Sequence, residues 1–239
     1  MQIFELQSAI NDFLAYRIPP GPRFIPHWVI INAQKGGTLP FCLLLMWYFD
    51  NYSPSAFFYT AAHGSYGIIW LLKHFIIPDP KWEIKTTFLC QISSFVLVLG
   101  PYWFAPYLLI SRAAPEPSLE RCCCGIIIYI IGVVVMMISD CYKTATLRIR
   151  KGLICDGPFA YVRHPNYTGE MLVYGGFAAM VPHWAPKVVL AWVWLQLFLP
   201  NMLMKEKSMS RYAEWSEYRA RTGMLVPWFF APSHSNKRS

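Results

Sequence analysis

Charge is what this 239-residue chain lacks: only 14% of its residues are Asp, Glu, Lys or Arg, against about 25% in soluble globular proteins. Beside a hydrophobic content of 55% and an aromatic content of 17%, that deficit excludes an ordinary soluble domain. The first fifteen residues lack the basic start and apolar core of a cleavable signal peptide, since Glu5 and Asp12 interrupt them. The seven cysteines (Cys42, Cys90, Cys122, Cys123, Cys124, Cys141 and Cys155) are odd in number and show no metal-ligand spacing. A disulfide framework is therefore excluded and no metal site is expected. Cys122–Cys124 read as small apolar residues starting a helix. There is no internal repeat, and the two glycosylation sequons, at Asn51 and Asn166, match by pattern only.

Long apolar runs fill the rest of the chain. Spans are expected at about 27–49, 56–77, 86–110, 122–142, 168–182 and 186–201, each near the length a bilayer core requires. The last two are expected to form a tight hairpin across His183–Pro186. The fold class is all-α, a polytopic transmembrane bundle of about five to seven spans with a C-terminal cytosolic cofactor-binding region. The net charge of +8 does not point to nucleic acid, because the basic residues lie in short loops beside the spans, where they meet anionic headgroups. Of the 21 Lys and Arg, 17 fall in the terminal segments and the connections on their side, three on the other side, and Lys35 inside the first span. Both termini are accordingly expected in the cytosol. The organisation read from these patterns is an interfacial helix and linker (1–26), a substrate-side set of helices (27–124), a cofactor-binding region (125–230) and a disordered tail (231–239).

Three clusters on the expected cytosolic face carry chemistry. Asp140 and Lys143 share one face of the fourth span. Asp156–Val162 leads into Arg163-His164-Pro165-Asn166-Tyr167-Thr168-Gly169-Glu170, which puts a guanidinium and an imidazole before a proline-started helix. Proline suits the first helical position, and the free N–H groups of that turn make an anion site. Arg163 can fork two hydrogen bonds onto phosphate oxygens. The third cluster is an amphipathic helix over 201–221, with Glu206, Tyr218 and Arg221. Together the clusters suit a cup for a large anionic cofactor, in which Asp140 or Glu206 meets ribose hydroxyls. Deeper in the second span, His63, Tyr66, Trp70 and Lys73 fall on one helical stripe. This reads either as a substrate cavity with a polar end or as a packing face assisted by Gly64 and Gly67.

The Arg163–Glu170 string is similar to the signature of membrane steroid 5-alpha-reductase-like proteins, of which lamin-B-receptor-type sterol reductases carry a related version. Ser139-Asp140-Cys141-Tyr142-Lys143, Gly152-Leu153-Ile154, Asp156-Gly157 and the Tyr212, Trp215, Tyr218, Arg221-Thr222 series closing at Pro227 resemble other stretches of that superfamily. The resemblance covers about 125–230. It implies NADPH held on the cytosolic side, with Lys143, Arg163, His164, Asn166, Tyr167, Glu170, Tyr218 and Arg221 as cofactor-binding candidates. It also implies hydride delivery to an activated carbon–carbon double bond in a sterol or other lipid-soluble substrate, in an endoplasmic reticulum membrane. Placement makes His63 and Tyr66, with Glu170, the candidate catalytic donors. Isoprenylcysteine and phospholipid methyltransferases share a similar His-Pro-x-Tyr and closing helix, so an S-adenosylmethionine-dependent enzyme is the alternative. A non-catalytic receptor of the same fold is the third reading.

Overall fold

The computed structural model describes residues 2–18 and 21–227; the expected tail over 231–239 lies outside them. The chain is all-α. Helix α1 (Gln2–Tyr16) precedes α2 (Trp28–Tyr48) and α3 (Pro54–Ile76). A fourth apolar helix, Phe88–Ile110, comprises α4 (Phe88–Ser94), a wide and then a tight turn, and α5 (Phe104–Ile110). Next come α6 (Leu119–Ile149) and α7 (Pro165–Met180). The segment Ala185–Met209 holds α8 (Ala185–Val193) and α9 (Leu199–Met209), and α10 (Trp215–Arg221) closes the described chain. The only sheet among the described residues is the antiparallel pair β1 (Ile25–Pro26) and β2 (Lys85–Thr86).

Among the described residues four helices are long and apolar enough to cross a membrane: Trp28–Tyr48, Phe88–Ile110, Leu119–Ile149 and Ala185–Met209. Helix α3 has the length but carries His63, Lys73 and His74. Helix α7, at 16 residues, rises about 24 Å, short of a bilayer core of about 30 Å. Successive helices run back and forth. Asn51 Nδ2 donates to the Ile110 carbonyl at 2.8 Å, and Arg121 Nη1 to the Ala179 carbonyl at 3.2 Å, so these turns share one end of the bundle. The opposite end gathers the β1–β2 pair, the 150–164 connection and α10.

Three boundaries depart from expectation. Helix α6 runs seven residues past 142, because the pairing of Asp140 with Lys73 and Lys143 lets the charged turn continue. Its start at Leu119 is set by Ser118, whose hydroxyl accepts from Arg121 N–H. The amphipathic helix expected over 201–221 is not continuous: it prolongs α8, stops at Met209 and resumes as α10. At the break the Ser210 hydroxyl donates to the Lys207 carbonyl at 2.7 Å, a local bond that competes with helix continuation.

Glycines set the closest contact of the bundle. Gly125 faces Gly176 and Gly132 faces Gly169 across the antiparallel α6–α7 pair. A Cβ at Gly132 would stand 2.5 Å from Val173 N and 2.7 Å from the Gly169 carbonyl. This backbone-to-backbone approach is how small residues pack membrane helices. It fixes the register of α6 against α7, and so Asp140 and Lys143 against Tyr167 and Glu170.

The exterior is apolar. Leu44, Trp47, Phe75, Val96, Ile130, Ile138 and Leu195 are all exposed, an arrangement suited to lipid rather than water. Helix α1 shows the same inversion. Its stripe of Ile3, Leu6, Ile10 and Phe13 points outward, while its polar residues bind the bundle: Asn11 to the Gln196 carbonyl at 2.6 Å, Glu5 to Lys207 at 2.9 Å and Asp12 to Lys81 at 3.0 Å. An interfacial helix lying with its apolar face in the lipid boundary accounts for this.

Candidate functional site

The structure divides the expected site residues into two neighbouring groups at the end of the bundle that holds α10. The first is a charged cluster, the recess, to which α2, α3, α6, α7 and α9 each contribute. Lys73 of α3 forms an ion pair with Asp140 of α6, and Lys143 Nζ stands 3.6 Å from the other Asp140 oxygen. Lys205 of α9 donates to the Tyr167 hydroxyl at 3.2 Å and lies 4.5 Å from the centroid of its ring. Glu170 interacts electrostatically with Lys35, Lys73, Lys205 and Asp140, yet no lysine is within ion-pairing distance of it among the described residues. Glu170 is half-buried. Lysines 35, 73, 143 and 205 thus meet two carboxylates, Asp140 and Glu170. At the rim Asp79 adds a third carboxylate that acts on Lys205 and Lys143, while Lys81 is paired with Asp12, so four lysines face three carboxylates.

The second group is a clamp. Arg163 is buried and donates from Nε to Glu206 at 2.6 Å, and from one terminal nitrogen to the carbonyls of Arg219, at 3.3 Å, and Thr222. It therefore caps the carbonyl end of α10, where a cation is favoured. The two-bond fork that the sequence offers to phosphate is turned inward here. Arg163 N–H and His164 N–H bond to the carbonyls of Gly223 and Met224, and Thr168 Oγ1 donates to the Leu225 carbonyl at 2.7 Å. Tyr218 reaches the Phe159 carbonyl at 2.8 Å. Burial holds the His164 imidazole below its ordinary pKa, against the pull of Glu206. Its Nε2 is 3.6 Å from Glu206, beyond hydrogen-bond length. Arg221 lies 6.0 Å from the Tyr218 ring centroid, and Asn166 is half-buried in the first turn of α7. Gly157, at φ +56° against the Tyr142 ring, turns the chain into this clamp at a conformation glycine takes without strain.

Below the recess lies an aromatic layer that holds the two candidate donors of α3. Tyr66 is fully buried beside Tyr174, ring centroids 5.7 Å apart, and Trp70 packs on Trp82. His63 accepts or donates at Nδ1 with the Tyr59 hydroxyl at 3.1 Å and stacks on Phe177 at 4.2 Å. The stripe of His63, Tyr66, Trp70 and Lys73 is thus mainly a packing face: Lys73 reaches the charged cluster, and His63 faces a narrow, nearly filled cleft of about 10 Å³ among α3, α5, α7 and α8. Gly67 packs against the Lys35 carbonyl of α2.

Lys35 is the residue that motif reading passes over. It is buried eight residues into an apolar helix, with its ammonium bonded to the Tyr174 hydroxyl. The rings of Tyr174, Trp70, Tyr66 and Tyr102 surround it at 4.7, 4.8, 5.1 and 5.5 Å. The signal that finds it is simple: an ionisable residue inside a span is costly and is by default functional.

Residues 80–222 match the model of the family described as protein of unknown function, DUF1295. The chain belongs to this family. The matched segment contains the clamp as far as Thr222 and the α6, α7 and α9 side of the charged cluster, while Lys35, His63, Tyr66 and Lys73 precede it. No curated protein and no solved structure matches the chain.

Proposed function

We propose that this protein is a membrane-embedded, NADPH-dependent reductase of an activated carbon–carbon double bond in a lipid-soluble substrate. In this reading the chain crosses the membrane about five to seven times, with the recess open to the cytosol of an endoplasmic reticulum membrane. The observation that carries it is the surplus of lysine over carboxylate in the recess, a surplus that favours a polyanion. NADPH is a polyanion through its phosphates, whereas S-adenosylmethionine carries a sulfonium and no phosphate. The resemblance of the Arg163–Glu170 string to the reductase signature supports the same choice.

The residues present fit such a cofactor. Lys143 and Lys205 are the accessible cations for phosphate, and Asp140 orients Lys73 and Lys143 by pairing with both. Trp70 Nε1 and Arg221 Nε are buried without a hydrogen-bond partner among the described residues, and unpaired buried donors are suited to a ligand's acceptors. Arg163, His164 and Glu206 act as positioning residues, since their bonds tie the chain over the start of α7. When bound, the cofactor supplies a hydride. The chain orients it, excludes bulk water and presents hydroxyl donors to the acceptor.

Thermal stabilisation of detergent-solubilised protein tests the proposal, because a tight ligand raises the melting temperature by mass action. NADPH should stabilise more than NADH, and S-adenosylmethionine not at all. Stabilisation by S-adenosylmethionine alone would establish the methyltransferase alternative. Stabilisation by none of the three would leave the non-catalytic receptor.

A further inference from the structure

The α3–α4 connection (77–87) forms one edge of the recess. Asp79, at the start of its tight turn Pro80–Glu83, acts electrostatically on Lys143, Lys205 and Tyr167. The turn therefore stands beside the recess faces of α6, α7 and α9. Two links hold it in place. Asp79 accepts from Lys81 N–H at 2.9 Å, and Lys81 Nζ pairs with Asp12 of α1 at 3.0 Å. The turn carries Trp82, whose ring stacks on Trp70 with centroids 5.2 Å apart and planes 28° apart. Trp82 is half-buried, and no second ring lies against it among the described residues. Trp70 behind it is buried, with its indole Nε1 unpaired. The Lys35 and Lys73 ammonium groups lie 4.8 and 4.9 Å from the Trp70 ring centroid. Covering Trp70 would need no more than a Leu on this turn. A half-exposed indole on a rigid aromatic base, beside a surplus of cations, is instead the pairing by which proteins hold nucleotides: charge for the phosphate and a flat ring for the base.

We infer that Trp82 is the stacking platform for the adenine ring of the nucleotide that the recess binds. The inference rests on the reductase reading above for the identity of that nucleotide, and adds to it a second, uncharged point of recognition. The lysines take the phosphate charge, an interaction that salt screens. The indole takes a flat ring by contact between π faces, which salt leaves nearly untouched. Trp70 is a positioning residue: it backs Trp82 and fixes the tilt of its plane, while the Lys81–Asp12 pair ties the turn to α1. The division gives the recess a selectivity that its charge alone lacks. Any polyanion satisfies the lysines, but only one bearing an aromatic ring gains from the indole.

The test uses full-length protein in detergent and compares inorganic pyrophosphate, ADP and NADPH in equilibrium titrations at low and at high salt. In the parent, ADP should bind about tenfold more tightly than pyrophosphate, the increment of one stacked base. It should also quench tryptophan emission that pyrophosphate leaves unchanged. Trp82→Leu, which keeps apolar cover on Trp70, should lose that increment for ADP and NADPH alike, by the same factor at both salt levels. Its pyrophosphate affinity should stay that of the parent. Trp82→Phe should restore most of the increment while removing most of the quenching, and it carries the test if Trp82→Leu fails to fold. Three results overturn the inference: ADP bound no more tightly than pyrophosphate by the parent, unchanged ADP affinity in Trp82→Leu, or a loss that pyrophosphate shares, which would mark a purely structural role. A Trp82-dependent increment for ADP, with NADPH bound no more tightly than ADP, keeps the platform and strikes the reductase reading. NADPH bound more tightly than ADP but indifferent to Trp82→Leu does the reverse.

Discussion

The clamp and the recess occupy the same end of the bundle and use the same kinds of residue, yet their charges are arranged in opposite ways. In the clamp the central charge is saturated: Arg163 is bound by Glu206 and by the carbonyls of Arg219 and Thr222. In the recess, Lys35, Lys73, Lys143 and Lys205 share Asp140 and Glu170, and Lys205 has a phenol for its nearest acceptor. A saturated network holds a structure in place, since each partner is already satisfied. An unsaturated one keeps electrostatic free energy in reserve for a ligand of the opposite sign. On the proposed function, the difference separates architecture from binding among residues that sequence alone groups as one site.

The comparison can be broken by mutation. The largest effect should come from Arg163→Ala, which leaves Glu206 buried and unpaired. Losing one partner of a buried pair costs about 3–5 kcal/mol, read as a fall in melting temperature with or without ligand. Stability unchanged in this variant would put Arg163 back on the ligand. Next comes His27, which belongs to neither group. Burial, assisted by Lys81, lowers its pKa to about 4. The unfolded chain therefore binds a proton that the folded chain refuses, and stability present above the ordinary histidine value is lost as pH falls toward about 4. The loss should reach about 3 kcal/mol, and His27→Gln should flatten the melting profile over that window. Lys143→Ala and Lys205→Ala should each weaken NADPH by about 1.5–3 kcal/mol if each gives the cofactor one charge-assisted bond, while the melting temperature of the free protein barely moves. The smallest effect is Tyr167→Phe. It removes the hydroxyl that receives Lys205 and should cost about 1 kcal/mol of cofactor affinity, in a titration where the Lys205→Ala background abolishes the difference.

Much of the fold is legible in the sequence. The helical class, four long apolar helices among the described residues, the turn between α7 and α8 and the helix at 2–16 follow from hydropathy, proline and helical spacing, which act locally. The extension of α6 past 142 does not, because it depends on Lys73, sixty-seven residues away, meeting Asp140. The site is legible in part. The sequence brings Asp140, Lys143, Tyr167 and Glu170 into one group, and the α6–α7 glycines place them there. It also assigns Arg163 to a ligand, and the structure gives that guanidinium to Glu206 and the α10 carbonyls instead. No local pattern reveals this, because the partners lie 43 to 59 residues downstream. Lys35 is hidden for the opposite reason: it matches no motif, and only the energetic cost of a lysine inside a span marks it.

The most direct test of the central claim, that the lysine surplus of the recess binds a polyanion, is an equilibrium titration of the purified protein with NADPH at low and at high salt. The account predicts saturable binding at one site per chain that weakens as salt screens the lysines, and that Lys143→Ala makes less steep. Binding indifferent to salt, or none at all, would contradict it.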